Sequence, residues 1–276
     1  MFPELRPRVL VLEEIDPQAH AQRQVFALRE QRKDAVGRCG KVLEHAHQPP
    51  LRDVGLHLPG AAPGNAVAGQ APLVQHLAVG AVQRAAGAQV RVVFVTNGDN
   101  NPWPQRYVER RWMIDDSCRQ RWGARRQLEA VRSVETLGLT ADAAVFFNLP
   151  DQGLTDLWKQ KDARALALHV AELETFRPTL LVLAAHDDNH PDHGASFALV
   201  QEAVKRAGMA LSQWAYLIHR RWFYPEASGL TLQLTAAEKA RKLAAIQCHE
   251  TQLFLSRGRF CAYARDQEIF IPLTPT

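Results

Sequence analysis

Three histidines and three aspartates occur within eight residues in the second half of this chain. Residues 186–193 read His-Asp-Asp-Asn-His-Pro-Asp-His and directly follow the apolar run 180–185. That run predicts a buried strand, and the carboxyl ends of strands are where ligands and catalytic groups lie in open α/β sheets. So many polar groups at such a point are unfavourable unless a metal ion or a reacting substrate uses them. We therefore expect a metal or catalytic site at this loop.

Two histidines of the loop, His190 and His193, have the chemistry of a metal-binding or acid–base pair. Neutral imidazole binds zinc and related divalent ions, and a catalytic zinc typically has three protein ligands plus water. One ring could bind the metal while the other points into the substrate space, and Asp192 could orient the ligand imidazole. The structural alternative is that Asp192 caps a helix beginning near Gly194 and the histidines are exposed. We favour the site, because several histidines stand beside aspartate after a buried strand.

Strands and helices alternate regularly around this loop. The pattern predicts strands at 90–95, 144–149 and 179–185, strand-like segments at 214–223 and 268–271, and helices at 78–86, 119–137, 163–176, 195–206 and 236–248. Such alternation predicts a mostly parallel, doubly wound sheet. The expected fold is therefore α/β, a Rossmann-like three-layer sandwich with an irregular N-terminal arm.

The first 76 residues differ from the rest of the chain. Residues 8–12 could form a strand and 18–38 a helix, but nine of the 24 residues from 49 to 72 are Pro or Gly. A stretch of that length without periodicity is unusual inside a compact domain. We expect an atypical segment at 1–76, either disordered or frame-altered, and an α/β domain at 77–276.

The composition is that of an ordinary soluble globular protein, with 46% hydrophobic and 22% charged residues and a net charge of +4. Eight arginines lie between residues 106 and 132. They could form a nucleic-acid surface, but we favour a solvated helix face with an anion-recognising loop, because no nucleic-acid module accompanies them. No apolar run predicts a membrane span. The four cysteines form no CxxC pair, and no secretory signal pattern is found, which favours a reducing cytoplasm.

Four further motifs accompany the histidine loop in a fixed order. They are Thr-Asn-Gly-Asp at 96–99, Arg…Glu-Ala…Leu-Gly at 126–138, Leu-Pro-Asp at 149–151 and Lys-x-x-Ala-Ile-x-x-His-x-Thr-Gln at 242–252. With His-Pro-Asp-His-Gly-Ala at 190–195, this order resembles the PIG-L/LmbE-like zinc-dependent de-N-acetylases. The motifs lie between residues 78 and 255, roughly two thirds of the chain.

The resemblance implies a Rossmann-like sheet and hydrolysis of an N-acetyl group from an amino-sugar conjugate. It implies that His193 binds zinc and that His190 polarises the developing oxyanion, with Asp192 beside it in the catalytic group. Zinc would lower the pKa of bound water and polarise the amide carbonyl. A positioned imidazole stabilises charge that appears only in the transition state.

Substrate contacts are expected after the neighbouring strand. Asp99 and Arg106 are candidates to contact sugar hydroxyls, and Trp103, in the aromatic and polar loop 101–106, suits carbohydrate stacking. A packed turn is the alternative for that loop. The expected partner is an amino sugar or glycoconjugate.

The family's first signature, His-Pro-Asp-Asp-Glu, is missing. It supplies two zinc ligands and the general base, and the stretch we compare with it, residues 71–75, reads Ala-Pro-Leu-Val-Gln. The chain could be a diverged, non-catalytic sugar-binding relative, or residues 1–76 could lie outside the ancestral reading frame, which we favour. Either explanation predicts weak zinc binding and little or no deacetylase activity.

Two other classes of function compete with this one. Residues 188–193 also approach the His-x-His-x-Asp-His loop of metallo-β-lactamase-fold hydrolases, but they occur too late in the chain and after a parallel α/β pattern. Two metal ions per chain rather than one would favour that class. A dinucleotide-binding domain has no support, because no GxGxxG follows a predicted strand.

Overall fold

The computed structural model describes residues 7–13, 87–188, 190–217 and 229–273, without the side chains of residues 13, 255 and 256. The strands are β1 (Arg8–Glu13), β2 (Gln89–Thr96), β3 (Ala144–Leu149), β4 (Leu180–Ala184), β5 (Ser212–Tyr216), β6 (Leu230–Gln233) and β7 (Gln267–Leu273). The helices are α1 (Pro102–Glu109), α2 (Asp116–Thr136), α3 (Leu154–Lys159), α4 (Ala163–Phe176), α5 (Pro191–Ala207), α6 (Ala236–Gln247) and α7 (Glu250–Cys261).

The strands form one mixed, mostly parallel sheet in the order β3-β2-β1-β4-β5-β7-β6. Strands β1 to β5 pair in parallel, and β7 joins β5 and β6 antiparallel at the edge. Helix α4 packs against α5, while α2 packs against α6 and α1 against α7. The predicted α/β fold with a mostly parallel sheet is confirmed.

β1 lies in the middle of this sheet, between β2 and β4. Val9 pairs with Val90 on one side and with Leu180 on the other. Val9, Leu10 and Val11 are at most 1% exposed, which explains why this strand is a continuous apolar run. The predicted strand at 8–12 is confirmed, and it pairs with strands on the far side of the predicted boundary at 76/77. The boundary itself stays a prediction, and the predicted helices at 18–38 and 78–86 lie outside the described residues.

The strand order reverses beside β1. From β1 the chain adds β2 and then β3 on one side, whereas β4 and β5 lie on the other side. The crevice between the carboxyl ends of β1 and β4 is therefore a topological switch point, where open α/β sheets bind their ligands. The histidine loop leaves β4 at this point.

Several predicted elements need correction. Residues 102–106, predicted as a loop, begin helix α1, because Asn101 caps it and Pro102 takes the first position. Helix α5 begins at Pro191 rather than at residue 195, since His190 is its N-cap. Strand β6 and helix α7 were not predicted. The strand predicted at 214–223 is β5, and residues 218–223 lie outside the described part of the chain.

Candidate functional site

Asp188 and His193 form a buried pair at the end of β4. Oδ1 of Asp188 lies 2.8 Å from Nδ1 of His193, and both side chains are fully buried. A carboxylate at this distance holds the proton on Nδ1, so the neutral ring carries its lone pair on Nε2. Nε2 is the atom of such a ring that would coordinate a cation.

His190 has the opposite tautomer. Its Nδ1 accepts the backbone N–H of Asp192 at 3.3 Å, and its own backbone N–H donates to Oδ1 of Asp188 at 3.0 Å. A ring that accepts at Nδ1 carries its proton on Nε2 when it is neutral. The centroids of the His190 and His193 rings are 4.7 Å apart. The loop therefore places the Nε2–H of a neutral His190 ring beside the His193 ring, whose lone pair is on Nε2.

The side chain of Asp192 contacts the start of helix α3. Its Oδ1 accepts the backbone N–H of Thr155 at 3.1 Å and the Thr155 hydroxyl at 3.0 Å. Asp192 was predicted either to cap the helix or to orient an imidazole, and neither role is observed. His190 caps α5, and Asp188 is the carboxylate that contacts His193. Asp192 instead ties α3 to the start of α5.

The loops after β2 and β3 are joined beside this site. The Asn100 backbone N–H donates to Oδ2 of Asp151 at 2.8 Å, and the Asn100 amide donates to the Asp151 carbonyl at 3.2 Å. The turn predicted at 96–99 is confirmed, with Gly98 at a φ of +62°. These bonds fix the loop that carries Asp99 at the carboxyl edge of the sheet.

Helix α2 packs closely under the same loop. A Cβ added to Gly123 would lie 3.3 Å from the Asn97 Cβ and 3.5 Å from the Asp99 Cβ, so a larger residue would press on the loop. Arg126, 2% exposed, donates a hydrogen bond to the Gly98 carbonyl. Gly123 and Arg126 therefore position Asp99 from below.

The other two predicted substrate contacts lie on helix α1. The Arg106 guanidinium is 4.9 Å from the centroid of the Trp103 ring, and its Nε donates to the Trp112 carbonyl at 3.0 Å. Asp99 is half-buried in the preceding loop. Asp99 therefore lies at the carboxyl edge of the sheet, and the helix that carries Trp103 and Arg106 begins directly after its loop. The roles of all three residues as sugar contacts stay predictions.

The motifs at 126–138 and 242–252 meet in space. Oε1 of the fully buried Glu129 accepts the Thr251 backbone N–H at 3.0 Å, and Oε2 accepts the Thr251 hydroxyl at 2.5 Å. The carboxylate thus serves as the anion at the N-terminus of α7. Burial raises the pKa of Glu129, and the two hydrogen bonds from Thr251 oppose that rise. The motif match contained both residues, but their contact depends on the unpredicted helix α7.

Two buried histidines outside the loop are neutral. Burial, followed by the charges of Arg126 and Arg132, lowers the pKa of His249 to about 3. Burial lowers the pKa of His169 to about 4, although its Nδ1 lies 2.7 Å from the Ala165 carbonyl. Both rings therefore belong to the packed interior at neutral pH.

The described residues do not complete a zinc site. Within 7–13, 87–188, 190–217 and 229–273, no group of three or more His, Cys, Asp or Glu side chains could hold a metal ion. A catalytic zinc needs three protein ligands, and the imidazoles at the end of β4 supply two at most.

The topology adds a second place to compare with the first family signature. β1 is the strand beside β4, so we compare the residues after Glu13 as well, and the comparison at residues 71–75 stays a prediction. Residues 14–18 read Glu-Ile-Asp-Pro-Gln and lie outside the described residues. The His-Pro-Asp-Asp-Glu sequence is absent there as well.

Comparison with known proteins agrees with the motifs. Residues 76–204 match the family model described as "PIG-L: GlcNAc-PI de-N-acetylase". The resemblance to the PIG-L/LmbE-like family is thus confirmed. No helix among the described residues is long and apolar enough to cross a membrane.

Solved structures share the fold at low sequence identity. A deacetylase of teicoplanin biosynthesis is 17% identical, with a TM-score of 0.54 over 74% of this chain and 94% of its own. The N,N'-diacetylchitobiose deacetylase of Pyrococcus horikoshii is 17% identical, with a TM-score of 0.52 over 72% and 78%. The 4-carboxy-2-hydroxymuconate hydratase GalB of Pseudomonas putida KT2440 is 15% identical, with a TM-score of 0.53 over 74% and 92%. The fold therefore carries more than one reaction.

Proposed function

We propose that this chain derives from a metal-dependent hydrolase that removes an N-acetyl group from an amino-sugar conjugate, and that its catalysis is impaired. The observation that carries the proposal is the pair of imidazoles at the switch point, one presenting a lone pair and the other an N–H. The family match over 76–204 supports the substrate class.

The chain's own residues supply part of such a reaction. The Nε2–H of His190 is suited to donate to an oxyanion that develops on the amide carbonyl. Asp188 holds His193 in the tautomer that a cation requires. Asp99, held by α2 from below, is placed to accept a hydrogen bond from a sugar hydroxyl.

The impairment is inferred from the residues that the sequence lacks. Without the His-Pro-Asp-Asp-Glu signature, the general base and two of the three expected ligands are missing. We keep both explanations, a diverged sugar-binding relative and an altered reading frame, and we favour the second. An altered frame would apply after β1, because residues 8–13 form the central strand of the sheet. Under either explanation we expect the chain to bind the sugar without catalysing its deacetylation.

The test compares binding with turnover in the full chain. We expect N-acetylglucosamine conjugates to bind, with acetate release no faster than in the His190→Ala/His193→Ala double variant, with or without added zinc. We also expect zinc to be lost on dialysis against a chelator. Retention of one zinc per chain, or acetate release above the double variant, would contradict the impairment.

A non-catalytic sugar-binding protein is the second candidate, and the absent signature is compatible with it. Such a protein would bind conjugates and release no acetate, even after the first signature is restored by mutagenesis after β1. Release of acetate by the restored chain would favour a lost hydrolase. A metallo-β-lactamase-like hydrolase stays a minor alternative, to be recognised by two metal ions per chain.

A further inference from the structure

Three large apolar side chains are exposed on the segment that follows the Asp99 loop. Tyr107 is 41% exposed, Trp112 is 69% exposed and Met113 is 84% exposed. They lie at the end of α1 and in the loop that leads to α2, and we name them the apolar platform. Contiguous exposed apolar side chains commonly mark a binding surface.

The backbone under the platform is held in place. Arg106 donates from its side chain to the Trp112 carbonyl at 3.0 Å, and the Arg111 N–H donates to the Arg106 carbonyl at 3.1 Å. The rings of Tyr107 and Trp112 meet edge to face at 6.3 Å. These contacts fix the loop while leaving its apolar side chains in solvent, which is the arrangement of a preformed binding surface.

The platform belongs to the same edge of the sheet as the histidine loop. Helix α1 starts directly after the loop at the carboxyl end of β2, and α2 returns beneath that loop. Eight residues of α-helix span about 12 Å, so Tyr107 lies within about one helix length of the Asp99 loop, and its ring contacts that of Trp112. A group bound there would extend beyond a sugar ring held at Asp99.

The local charge indicates the chemistry of that group. Arg106 donates to the Trp112 carbonyl, Arg111 donates to the Cys118 sulfur, and Arg121 pairs with Glu109 at 3.1 Å. These three arginines therefore make hydrogen bonds within the protein rather than directing them at a ligand on the platform. The surface open to a ligand is therefore mainly the apolar side chains of the platform, which favour an uncharged apolar ligand.

We propose that the apolar platform binds the aglycone of the sugar conjugate and selects conjugates whose aglycone is apolar. This inference rests on the proposed sugar-binding function and narrows its substrate class. The platform would contact the alkyl or aromatic group while Asp99 and His190 face the N-acetylated sugar.

The test uses two glycosides that differ only in the aglycone. Methyl and octyl β-N-acetylglucosaminide, the latter below its micellar concentration, are titrated into the full chain by calorimetry. We expect octyl to bind at least about tenfold more tightly than methyl, since partial burial of the chain against Trp112 and Met113 removes apolar surface from water. The Trp112→Ala/Met113→Ala variant should lose this preference and keep its affinity for the methyl glycoside.

Trp158 provides the matched control, because it is also an exposed tryptophan, 39% exposed, but lies on α3. Trp158→Ala should keep the octyl preference. Equal affinities for both glycosides, or a preference that survives in the double variant, would overturn the inference and leave the proposed function standing. If neither glycoside binds, both fail. A smaller sedimentation coefficient for the double variant would overturn the inference too, by showing that a second copy of the chain covers the platform.

Discussion

β1 and β4 are alike as strands but lead into very different connections. Both are apolar, parallel and buried at the centre of the sheet, and they pair with each other. After β4, residues 185–211 suffice for a loop, a helix and the return to the sheet. After β1, residues 14–88 separate the strand from β2, although a parallel connection needs only a dozen residues or more.

The two connections teach that a sheet and a site depend on different parts of the sequence. The apolar residues of β1 keep their place because both faces and both edges of the strand are covered. A site at the switch point needs polar groups from the loops after both strands. The loop after β4 carries hydrogen-bonded histidines, whereas the sequence after β1 contains no His-Pro-Asp-Asp-Glu.

The largest expected effect tests whether β1 is part of the core. Val11→Asp places an unpaired charge at a fully buried position and should lower the free energy of unfolding by more than about 4 kcal/mol. Leu128→Asp, the control on the exposed face of α2 at 67% exposure, should cost less than about 1 kcal/mol. Urea unfolding of both variants measures the difference. Equal losses would contradict the place of β1 in the core.

The second prediction concerns the carboxylate that orients the imidazole. Asp188→Asn should weaken the contact with His193, lower the free energy of unfolding by roughly 2 kcal/mol and change the His193 tautomer. Long-range ¹H–¹⁵N spectra report the tautomer directly. Asp192→Asn is the control, and it should leave the tautomer as it is. The assignment fails if Asp192→Asn changes the His193 spectrum and Asp188→Asn does not.

The third prediction concerns the acid sensitivity of the two buried core histidines, His169 and His249. The pKa values of His169 and His249 are depressed to about 4 and about 3, so the unfolded chain binds their protons first as the pH falls. Each ring should therefore lower the free energy of unfolding by roughly 2 kcal/mol between pH 7 and pH 5. The stabilisation is present above pH 6.5 and is lost as the pH falls toward the folded-state value. His169→Gln should reduce the acid sensitivity by that amount, and an unchanged slope would contradict the assignment.

The smallest expected effect lies at the start of α3. Thr155→Val removes the hydroxyl bond to Asp192 and keeps the backbone bond, so it should cost about 1 kcal/mol. Thr155→Ser keeps the hydroxyl and should restore most of the loss. Thermal unfolding of the three proteins measures it. If Thr155→Ser is as unstable as Thr155→Val, the lost stability comes from packing and not from the hydroxyl hydrogen bond.

Most of the sheet could be predicted because its strands are apolar runs between clear breaks. Strand β3 and helices α4 and α6 agree with the predicted bounds within one residue. The predicted start of helix α5 is too late, because His190 is both a candidate site residue and the N-cap. The sequence signal for the true start is Pro191, since proline favours the first helical position.

The site was predictable in its residue types but not in its pairings. Periodicity does not reveal that Asp188, rather than Asp192, contacts His193, since both lie in one irregular loop. Nor does it reveal that residues 8–12 form the central strand, because strand order is set by packing across the whole sheet. That order adds the residues after Glu13 to the comparison with the first signature, beside residues 71–75.

The hydrogen bonds that link Asn100 to Asp151 and Thr155 to Asp192 join three loops in series. None of these loops can open alone without breaking a bond to its neighbour. In native-state hydrogen exchange, the amides of Asn100, Thr155 and Asp192 should accordingly share one opening free energy, as members of a single cooperative unit.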